Sequence, residues 1–318
     1  MNERSVTFWL KSKAKELGFS HVGISRAESL TEESKRLAQW LKQGFHGEMQ
    51  YMTNHFEKRV DPTRLVPGAK SVVSLGFNYY TDRRQSDPEA PGVSIYAFGK
   101  DYHKVIKRRL KTLMKELEEE VGPVRGRCFV DSAPVMERDW AKRGGLGWVG
   151  KNTLLIHPKK GSYFFLAELI VDLVLTYDEP IQDHCGTCRK CIDACPTGAI
   201  HPDGYLLDSR KCISYLTIEL RNEIPASFEG KMNNYAFGCD ICQDVCPWNR
   251  FSEPHQEPEF DPDSRFLDLT KDQWKEITQD IFDAVFKETP VKRTGFKGLK
   301  RNVAFLERAQ AKGDNESS

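Results

Sequence analysis

Cysteine is the residue type that points most directly to chemistry in this chain. Of its nine cysteines, eight lie between Cys185 and Cys246, and the ninth is Cys128. Thiolates are soft, anionic ligands that suit zinc and iron–sulfur clusters. Disulfides are rare in reducing compartments, so this crowding indicates metal ligation rather than a disulfide framework. Cys128 precedes a strand-like segment and is predicted to be a small, buried hydrophobic residue.

The spacing of the eight cysteines narrows the kind of metal site. Residues 185–196 read CGTCRKCIDACP, which is the C-x2-C-x2-C-x3-C-P run of bacterial two-cluster ferredoxins. Residues 239–247 repeat its C-x2-C-x3-C-P part, with Cys212 in place of the first cysteine. The fourth cysteine of such a run ligates the other cluster, so the two ligand sets are predicted to cross. The predicted ligands of cluster one are Cys185, Cys188, Cys191 and Cys246, and those of cluster two are Cys195, Cys212, Cys239 and Cys242.

Structural zinc is the alternative, because each set of four thiolates could hold one Zn²⁺ ion. Zinc sites usually use paired C-x2-C knuckles rather than a triple run followed by x3-C-P. The spacing therefore favours two [4Fe–4S] clusters. Clusters of this kind indicate electron transfer, but they do not specify a reaction.

The elements that position these cysteines fall into three predicted regions. Residues 1–180 alternate between helical and strand patterns, which predicts an α/β or α+β domain. Residues 181–250 are predicted to form a ferredoxin-like domain, and residues 251–318 a helical C-terminal segment. No G-x-G-x-x-G motif opens a βα unit and no Walker A motif is present, so nicotinamide, Rossmann-type flavin and P-loop sites have no support.

Composition excludes two broad classes of protein. Lys plus Arg is 47 and Asp plus Glu is 46, a formal net charge of +1, so the chain is not globally basic like a general nucleic-acid coat. It contains no run of 18 apolar residues, and its N-terminus, MNERSVTFWLKSK, has no apolar core of signal-peptide length. A cytoplasmic protein without membrane association is expected.

A local basic patch is nevertheless predicted near the C-terminus. Residues 287–312 carry eight Lys or Arg against two acids. A basic run is usually a solvated helix face, yet cations and backbone amides could also contact phosphates here. A second basic run, KVIKRRLK at 104–111, places its cations opposite an apolar face and is predicted to be surface. The cations of the first patch are Lys287, Lys292, Arg293, Lys297, Lys300, Arg301, Arg308 and Lys312.

Several motifs resemble those of the epoxyqueuosine reductase family. The matching segments spread over about residues 1–310 and are more specific than the ferredoxin run, which many families share. They are HGEMQYM (46–52), YAFGKDYH (96–103), VDSAPVMER (130–138), GLGWVGKNTLLI (145–156), GSYFFLAEL (161–169), CISYLTIEL (212–220) and CDICQDVCPWN (239–249).

The resemblance implies an enzyme of tRNA modification. It implies reduction of the epoxide of epoxyqueuosine, at the tRNA wobble position, to the alkene of queuosine, the last step of queuosine biosynthesis. It also implies a cobalamin cofactor beside the two [4Fe–4S] clusters, an N-terminal fold related to reductive dehalogenases and nitroreductases, and a monomer fed by a separate electron donor. Many family members carry HEAT-like helical repeats at the C-terminus, and residues 251–318 are expected to supply about one such helix.

The resemblance also assigns roles to residues. Asp131, in VDSAPVMER, corresponds to the proton donor of the family, and burial is expected to raise its pKa so that it is protonated near neutral pH. From its position alone, Asp131 would instead be a helix N-cap or a turn carboxylate. Glu137 and Arg138 are predicted to be helix-surface residues. The implied corrin contacts are Arg59, Ser94, Asp131, Leu155, Leu166, Ser214, Cys239 and Asp240.

Two other functions stay open at this point. The chain could be a corrinoid reductase of a small molecule, although such reductases generally carry a twin-arginine export signal that this N-terminus lacks. It could also be a two-cluster electron-transfer protein that performs no chemistry of its own. An electron carrier would need neither the Asp131 region nor the basic C-terminal segment.

Overall fold

The computed structural model describes residues 2–316, and side chains as far as residue 308. Its centre is a four-stranded antiparallel sheet with the strand order β1-β2-β7-β4, flanked by helices. The strands are β1 (His21–Arg26), β2 (Ser71–Asn78), β3 (Gly92–Val93), β4 (Gly126–Phe129), β5 (Trp148–Val149), β6 (Leu155–Ile156), β7 (Phe164–Val171) and β8 (Tyr235–Phe237). The α-helices are α1 (Glu3–Glu16), α2 (Thr31–Lys42), α3 (Phe56–Val60), α4 (Tyr102–Val121), α5 (Glu137–Arg143), α6 (Lys190–Asp193), α7 (Ile213–Ile218), α8 (Ile241–Asp244), α9 (Ser264–Leu267), α10 (Lys271–Lys275), α11 (Gln279–Phe286) and α12 (Gly295–Glu316).

The mixed helix and sheet architecture predicted from the sequence is confirmed, and its antiparallel sheet makes the fold α+β. Helices α1 and α4 form where apolar residues recur at helical spacing. Helix α4 begins after Asp101, whose side chain accepts a hydrogen bond from the His103 amide at 3.0 Å, and it ends at Gly122, whose φ is +90°. These two caps fix which residues of α4 occupy its first turn, beside the end of β4.

The central sheet is covered on both faces, because alternate residues of its strands point to opposite sides. Val73 and Leu75 of β2 join the large core that includes α1 and α4. Val72 of β2, Phe129 of β4 and Ile170 of β7 join a second core with α2, α3 and α5. An acidic residue on either face of this sheet is therefore shut off from water.

The large core continues through the predicted cysteine-rich and C-terminal regions. Strand β3 pairs in parallel with β8, and α12 packs on β8 and α7. The Asn302 side chain donates hydrogen bonds to the carbonyls of Thr217 and Ala236, both at 2.8 Å. The segment after residue 251 contains α9 to α12 rather than about one helix, and α12 packs against β8, the strand that precedes Cys239. In residues 2–316, no helix has both the length and the apolar character needed to cross a membrane.

Candidate functional site

The first predicted set of cysteines gathers at one place. All nine cysteines are free thiols. Burial raises the pKa of Cys191 to about 11, and the next contributions come from the charges of Cys246, Cys185 and Cys188. Cys246 in turn feels the charges of Cys185 and Cys188. The structure thus brings Cys246, from the second run, to the three leading cysteines of the first run.

The second predicted set gathers next to the first. Burial raises the pKa of Cys242 well above its usual value. The next largest contributions, which also raise this pKa, come from the charges of Cys212, Cys239, Cys191 and Cys195. The proximity of Cys191 shows that the two sets adjoin. Among the side chains that the structure describes, as far as residue 308, no three His, Cys, Asp or Glu residues are arranged to hold a single metal ion.

Hydrogen-bond donors surround the first set. The Trp148 indole N–H donates to Cys185 Sγ at 3.5 Å. The Lys151 ammonium donates to the carbonyls of Gly186 at 2.7 Å and Cys188 at 3.0 Å, and so fixes the loop that carries both cysteines. Donors to sulfur and nearby positive charge are among the factors that set the reduction potential of an iron–sulfur cluster.

Asp131 lies just beyond the end of β4, with a φ of +50°, which few non-glycine residues adopt. The Tyr102 hydroxyl donates to Asp131 Oδ2 at 2.5 Å, and His103 Nε2 lies 3.5 Å from the same oxygen. The Asp131 amide donates to Glu137 Oε1 at 2.6 Å. The Asp131 side chain is 58% exposed, so a substrate can reach the carboxyl group.

The expectation that burial keeps Asp131 protonated is wrong. The surrounding protein does raise the pKa of Asp131 by desolvation, but hydrogen bonds from His103 and Tyr102 and the charges of His103 and Arg293 bring it below its usual value. Burial lowers the pKa of His103, yet its bonds to Asp131 and Asp101 outweigh this effect and raise it to about 9. At neutral pH, the proton therefore resides on His103 and Asp131 is ionised.

The prediction that Glu137 is a helix-surface residue is also wrong. Burial and the charge of Asp131 raise the pKa of Glu137 to about 8. Behind it, Glu168 of β7 is 0% exposed, and burial together with Glu137 raises its pKa well above the usual value. Arg138 is exposed, as expected, and donates to the carbonyl of Thr153. Sequence reasoning missed Glu168, although an acid within the apolar run FFLAELIV was a visible signal.

The positions implied as corrin contacts fall into small groups, the first of which joins Ser94 and Asp240. The Ser94 hydroxyl donates to Asp240, and the Ile95 amide donates to the same carboxylate at 2.8 Å. Burial raises the pKa of Asp240 to about 6. Tyr96 feels the charges of both Asp131 and Asp240, so it lies near both acids.

The remaining implied contacts offer both apolar and polar surface. Leu155 and Leu166 belong to one apolar cluster, and Ser214 hydrogen-bonds to Cys212. Arg59 is only 8% exposed and donates to the Tyr51 carbonyl at 2.9 Å, while its Nε atom is buried without a partner in residues 2–316. A buried donor of this kind suits a large polar ligand such as cobalamin. A separate cavity of about 770 Å³ is lined by Arg26, Lys70 and other residues, none of which is an implied corrin contact.

The predicted C-terminal basic patch divides into two kinds of residue. Lys287, Lys292, Lys297 and Lys300 are exposed. Arg301 instead donates to the carbonyls of Leu220 at 2.7 Å and Leu216 at 2.9 Å, so it holds α12 against α7. The lysine at 312 lies outside the described side chains. The cations of the KVIKRRLK run lie on the outer face of α4, as predicted, while its apolar residues are buried.

Arg293 is an exposed but paired cation that acts on Asp131, rather than part of a free basic surface. Its guanidinium donates to both carboxylate oxygens of Glu219, at 2.7 and 3.0 Å, and it lies 5.7 Å from the centre of the Tyr51 ring. Its positive charge also lowers the pKa of Asp131. A cation at this place can attract an anionic group of a substrate toward Asp131.

Family comparisons first define the class of protein. Residues 184–249 match the family described as "4Fe-4S double cluster binding domain". Residues 59–132 match the family described as "Epoxyqueuosine reductase QueG, DUF1730". With the acid–base group around Asp131, the first match defines an iron–sulfur oxidoreductase that carries two [4Fe–4S] clusters.

Relatives and solved structures define the family. An epoxyqueuosine reductase from Cellulophaga algicola is 58% identical over 93% of this chain and 96% of its own length. One from Pseudomonas aeruginosa is 45% identical over 93% of this chain and 83% of its own length. A crystal structure of epoxyqueuosine reductase with an epoxyqueuosine-modified tRNA-Tyr stem loop is 32% identical, with a TM-score of 0.87 over 96% of this chain and 81% of that one. The chain belongs to the epoxyqueuosine reductase family.

Proposed function

We propose that the protein reduces the epoxide of epoxyqueuosine in tRNA to the alkene of queuosine. The observation that carries this proposal is the solved relative that covers 96% of this chain and binds an epoxyqueuosine-modified stem loop. The reaction consumes two electrons and two protons and releases water. The double-cluster domain accounts for the electrons, the group around Asp131 accounts for one proton, and solvent supplies the second.

The residues that hold the cofactors are part of the proposal. Cys185, Cys188, Cys191 and Cys246 would bind one cluster, and Cys195, Cys212, Cys239 and Cys242 the other. Cobalamin would contact Arg59, Ser94, Leu155, Leu166, Ser214 and Cys239 together with Asp240 and Asp131. When bound, cobalamin supplies a strongly reducing cobalt centre for opening the epoxide.

The proton for the oxygen of the opened ring would come through Asp131. A Bacillus subtilis epoxyqueuosine reductase, 32% identical with a TM-score of 0.86 over 96% of this chain and 82% of that one, has been solved with its aspartate catalytic loop swung out of the active site. We place Asp131 in the corresponding role. Because Asp131 is ionised and His103 carries the proton, the transfer runs from His103 Nε2 to Asp131 Oδ2 and then to the substrate oxygen.

Two properties of the working protein complete the proposal. The electrons come from a separate donor, which reduces the clusters, and the enzyme acts as a monomer. From its tRNA substrate, we also infer a cytoplasmic location.

The exposed lysines of the patch are proposed to contact the tRNA backbone. Lys292→Glu combined with Lys300→Glu should weaken binding of an epoxyqueuosine stem loop about tenfold, and the slope of log K against log salt should fall by about one for each phosphate that is no longer neutralised. The measurement is a binding titration at several salt concentrations. Lys35→Glu with Lys115→Glu is the matched control, since these lysines are 67% and 77% exposed on other helices. An affinity equal to that of the control would contradict the assignment of the patch.

The function is tested by nucleoside analysis of tRNA. In a strain whose own gene is deleted, epoxyqueuosine should accumulate, and expression of this chain should restore queuosine. Accumulation of the epoxide that persists despite expression of folded, iron-loaded protein would contradict the proposal.

A further inference from the structure

Glu168 occupies an unusual place for an acid. It lies in the middle of β7, opposite Ser74 of β2 and Phe129 of β4, on the face of the sheet that α5 covers. It is 0% exposed, and neither of its carboxylate oxygens accepts a hydrogen bond from a donor in residues 2–316. A buried carboxylate without hydrogen bonds is strongly disfavoured, so the group must carry or share a proton.

The partner that can share this proton is Glu137. The carboxyl groups of Glu137 and Glu168 interact directly, and two carboxylates can bond only through a proton that lies between them. The charges that bear on Glu168 are those of Glu137 and Asp131, both acidic. Glu137 also feels Asp131 and, more weakly, His103, and it interacts with Arg59 and Tyr102. Like-charge repulsion therefore adds to burial in keeping a proton on the pair.

Glu137 also holds Asp131 in place. Its Oε1 accepts a hydrogen bond from the Asp131 amide at 2.6 Å, in a residue whose φ is +50°. A non-glycine residue keeps this conformation only where its surroundings impose it. Tyr102 fixes the Asp131 carboxylate, and Glu137 fixes the Asp131 peptide.

We propose that Glu137 and Glu168 form a proton-sharing carboxyl pair that positions Asp131 for proton transfer. Glu137 binds the amide of Asp131, and the proton shared with Glu168 prevents a second negative charge from building up behind that residue. Both are positioning residues, and the inference rests on the proposed function for Asp131. Loss of the shared proton at high pH places three adjacent negative charges in the site and releases the Asp131 loop.

The pair makes folding stability depend on pH in a defined direction. The pKa of Glu137 is raised from 4.5 in the unfolded chain to about 8 in the folded protein. The folded state therefore holds a proton that the unfolded state has lost, and stability falls as pH rises from about 4.5 to 8. The stabilising contribution of His103 is also lost as pH rises from 6.5, its ordinary pKa, to about 9, its pKa in the folded protein. The comparison must therefore be made with a variant that changes the pair alone.

Three variants separate positioning from a merely structural role. Glu137→Ala removes the acceptor of the Asp131 amide, Glu137→Gln keeps a neutral acceptor, and Glu168→Gln supplies an N–H donor to Glu137 without a shared proton. Glu119→Gln is the control, because Glu119 is a 61% exposed carboxylate on α4. Each is purified with its cofactors reconstituted.

Hydrogen exchange and turnover should separate the variants. In Glu137→Ala, we expect faster amide exchange at 131–133 and a kcat about 10²-fold lower at pH 7, while Glu137→Gln stays close to the parent protein. In Glu168→Gln, we expect the decline in kcat that begins near pH 8 to move up to about pH 9, where His103 loses its proton, and the fall in Tm between pH 5 and 8 to flatten. Glu119→Gln should change none of these.

Two results would overturn the proposal. One is unchanged exchange at 131–133 in Glu137→Ala, and the other is a Tm profile of Glu168→Gln that parallels that of the parent protein. Both readouts are independent of turnover. They would therefore judge the carboxyl pair even if the parent protein failed to reduce epoxyqueuosine, a result that would refute only the proposed function.

Discussion

Asp131→Asn is expected to lower kcat by about 10²- to 10⁴-fold while the chain keeps its fold and its iron. Asparagine preserves the shape of the side chain and can still accept the hydrogen bond from Tyr102, but it cannot relay a proton from His103 to the substrate. The measurement is anaerobic turnover of epoxyqueuosine tRNA, with iron content determined on the same sample.

The same substitution should also change His103. The carboxylates of Asp131 and Asp101 together hold its pKa at about 9, and neutralising one of them should lower it. Titration of His103 by NMR would report this shift. Asp82→Asn, in the exposed loop after β2, is the control and should leave both kcat and this pKa unchanged. A kcat within a few-fold of the parent value would remove Asp131 from the proton path.

Cys195→Ala and Cys212→Ala are expected to abolish turnover and to lose the same cluster. In the crossed arrangement, both cysteines ligate cluster two, so each variant should retain about four iron atoms of the original eight and one cluster spectrum. Cys246→Ala should lose the other cluster, because Cys246 lies with Cys185 and Cys188. Iron analysis and EPR of the reduced proteins distinguish the two cases.

An uncrossed arrangement gives a different pattern. Cys195 would then share its cluster with Cys185, Cys188 and Cys191, so Cys195→Ala and Cys185→Ala would lose the same cluster spectrum. Cys128→Ala is the control, since burial raises the pKa of the Cys128 thiol to about 11 and this cysteine lies outside both sets. Retention of both clusters in Cys195→Ala would contradict either arrangement.

The parts of the fold that the sequence predicted well are those governed by local pattern. The alternation of helices and strands predicted for residues 1–180 rests on local features, such as the apolar periodicity of helix α4 and strand β2. The two-cluster module follows from a motif with fixed spacing. The packing of α12 on β8 joins distant segments, so no local pattern indicates it.

The chemistry of the acid–base site was harder to predict, because it depends on which side chains meet. The resemblance suggested a buried, protonated acid at Asp131, whereas its position alone suggested a helix N-cap or a turn carboxylate. Helix α4 brings Tyr102 and His103 to the end of β4. Hydrogen bonds from these two residues lower the pKa of Asp131 and so favour its ionised form. Glu137 reaches inward from α5 to Glu168, a contact between residues far apart in the chain.

Anaerobic turnover of purified protein tests the central claim most directly. The chain is reconstituted with iron, sulfide and cobalamin, supplied with a chemical reductant, and mixed with tRNA that carries epoxyqueuosine. The account predicts about eight iron atoms per chain, a bound corrin and conversion of epoxyqueuosine to queuosine. Zinc in place of iron, or an epoxide that persists on tRNA in the presence of fully loaded, reduced protein, would contradict it.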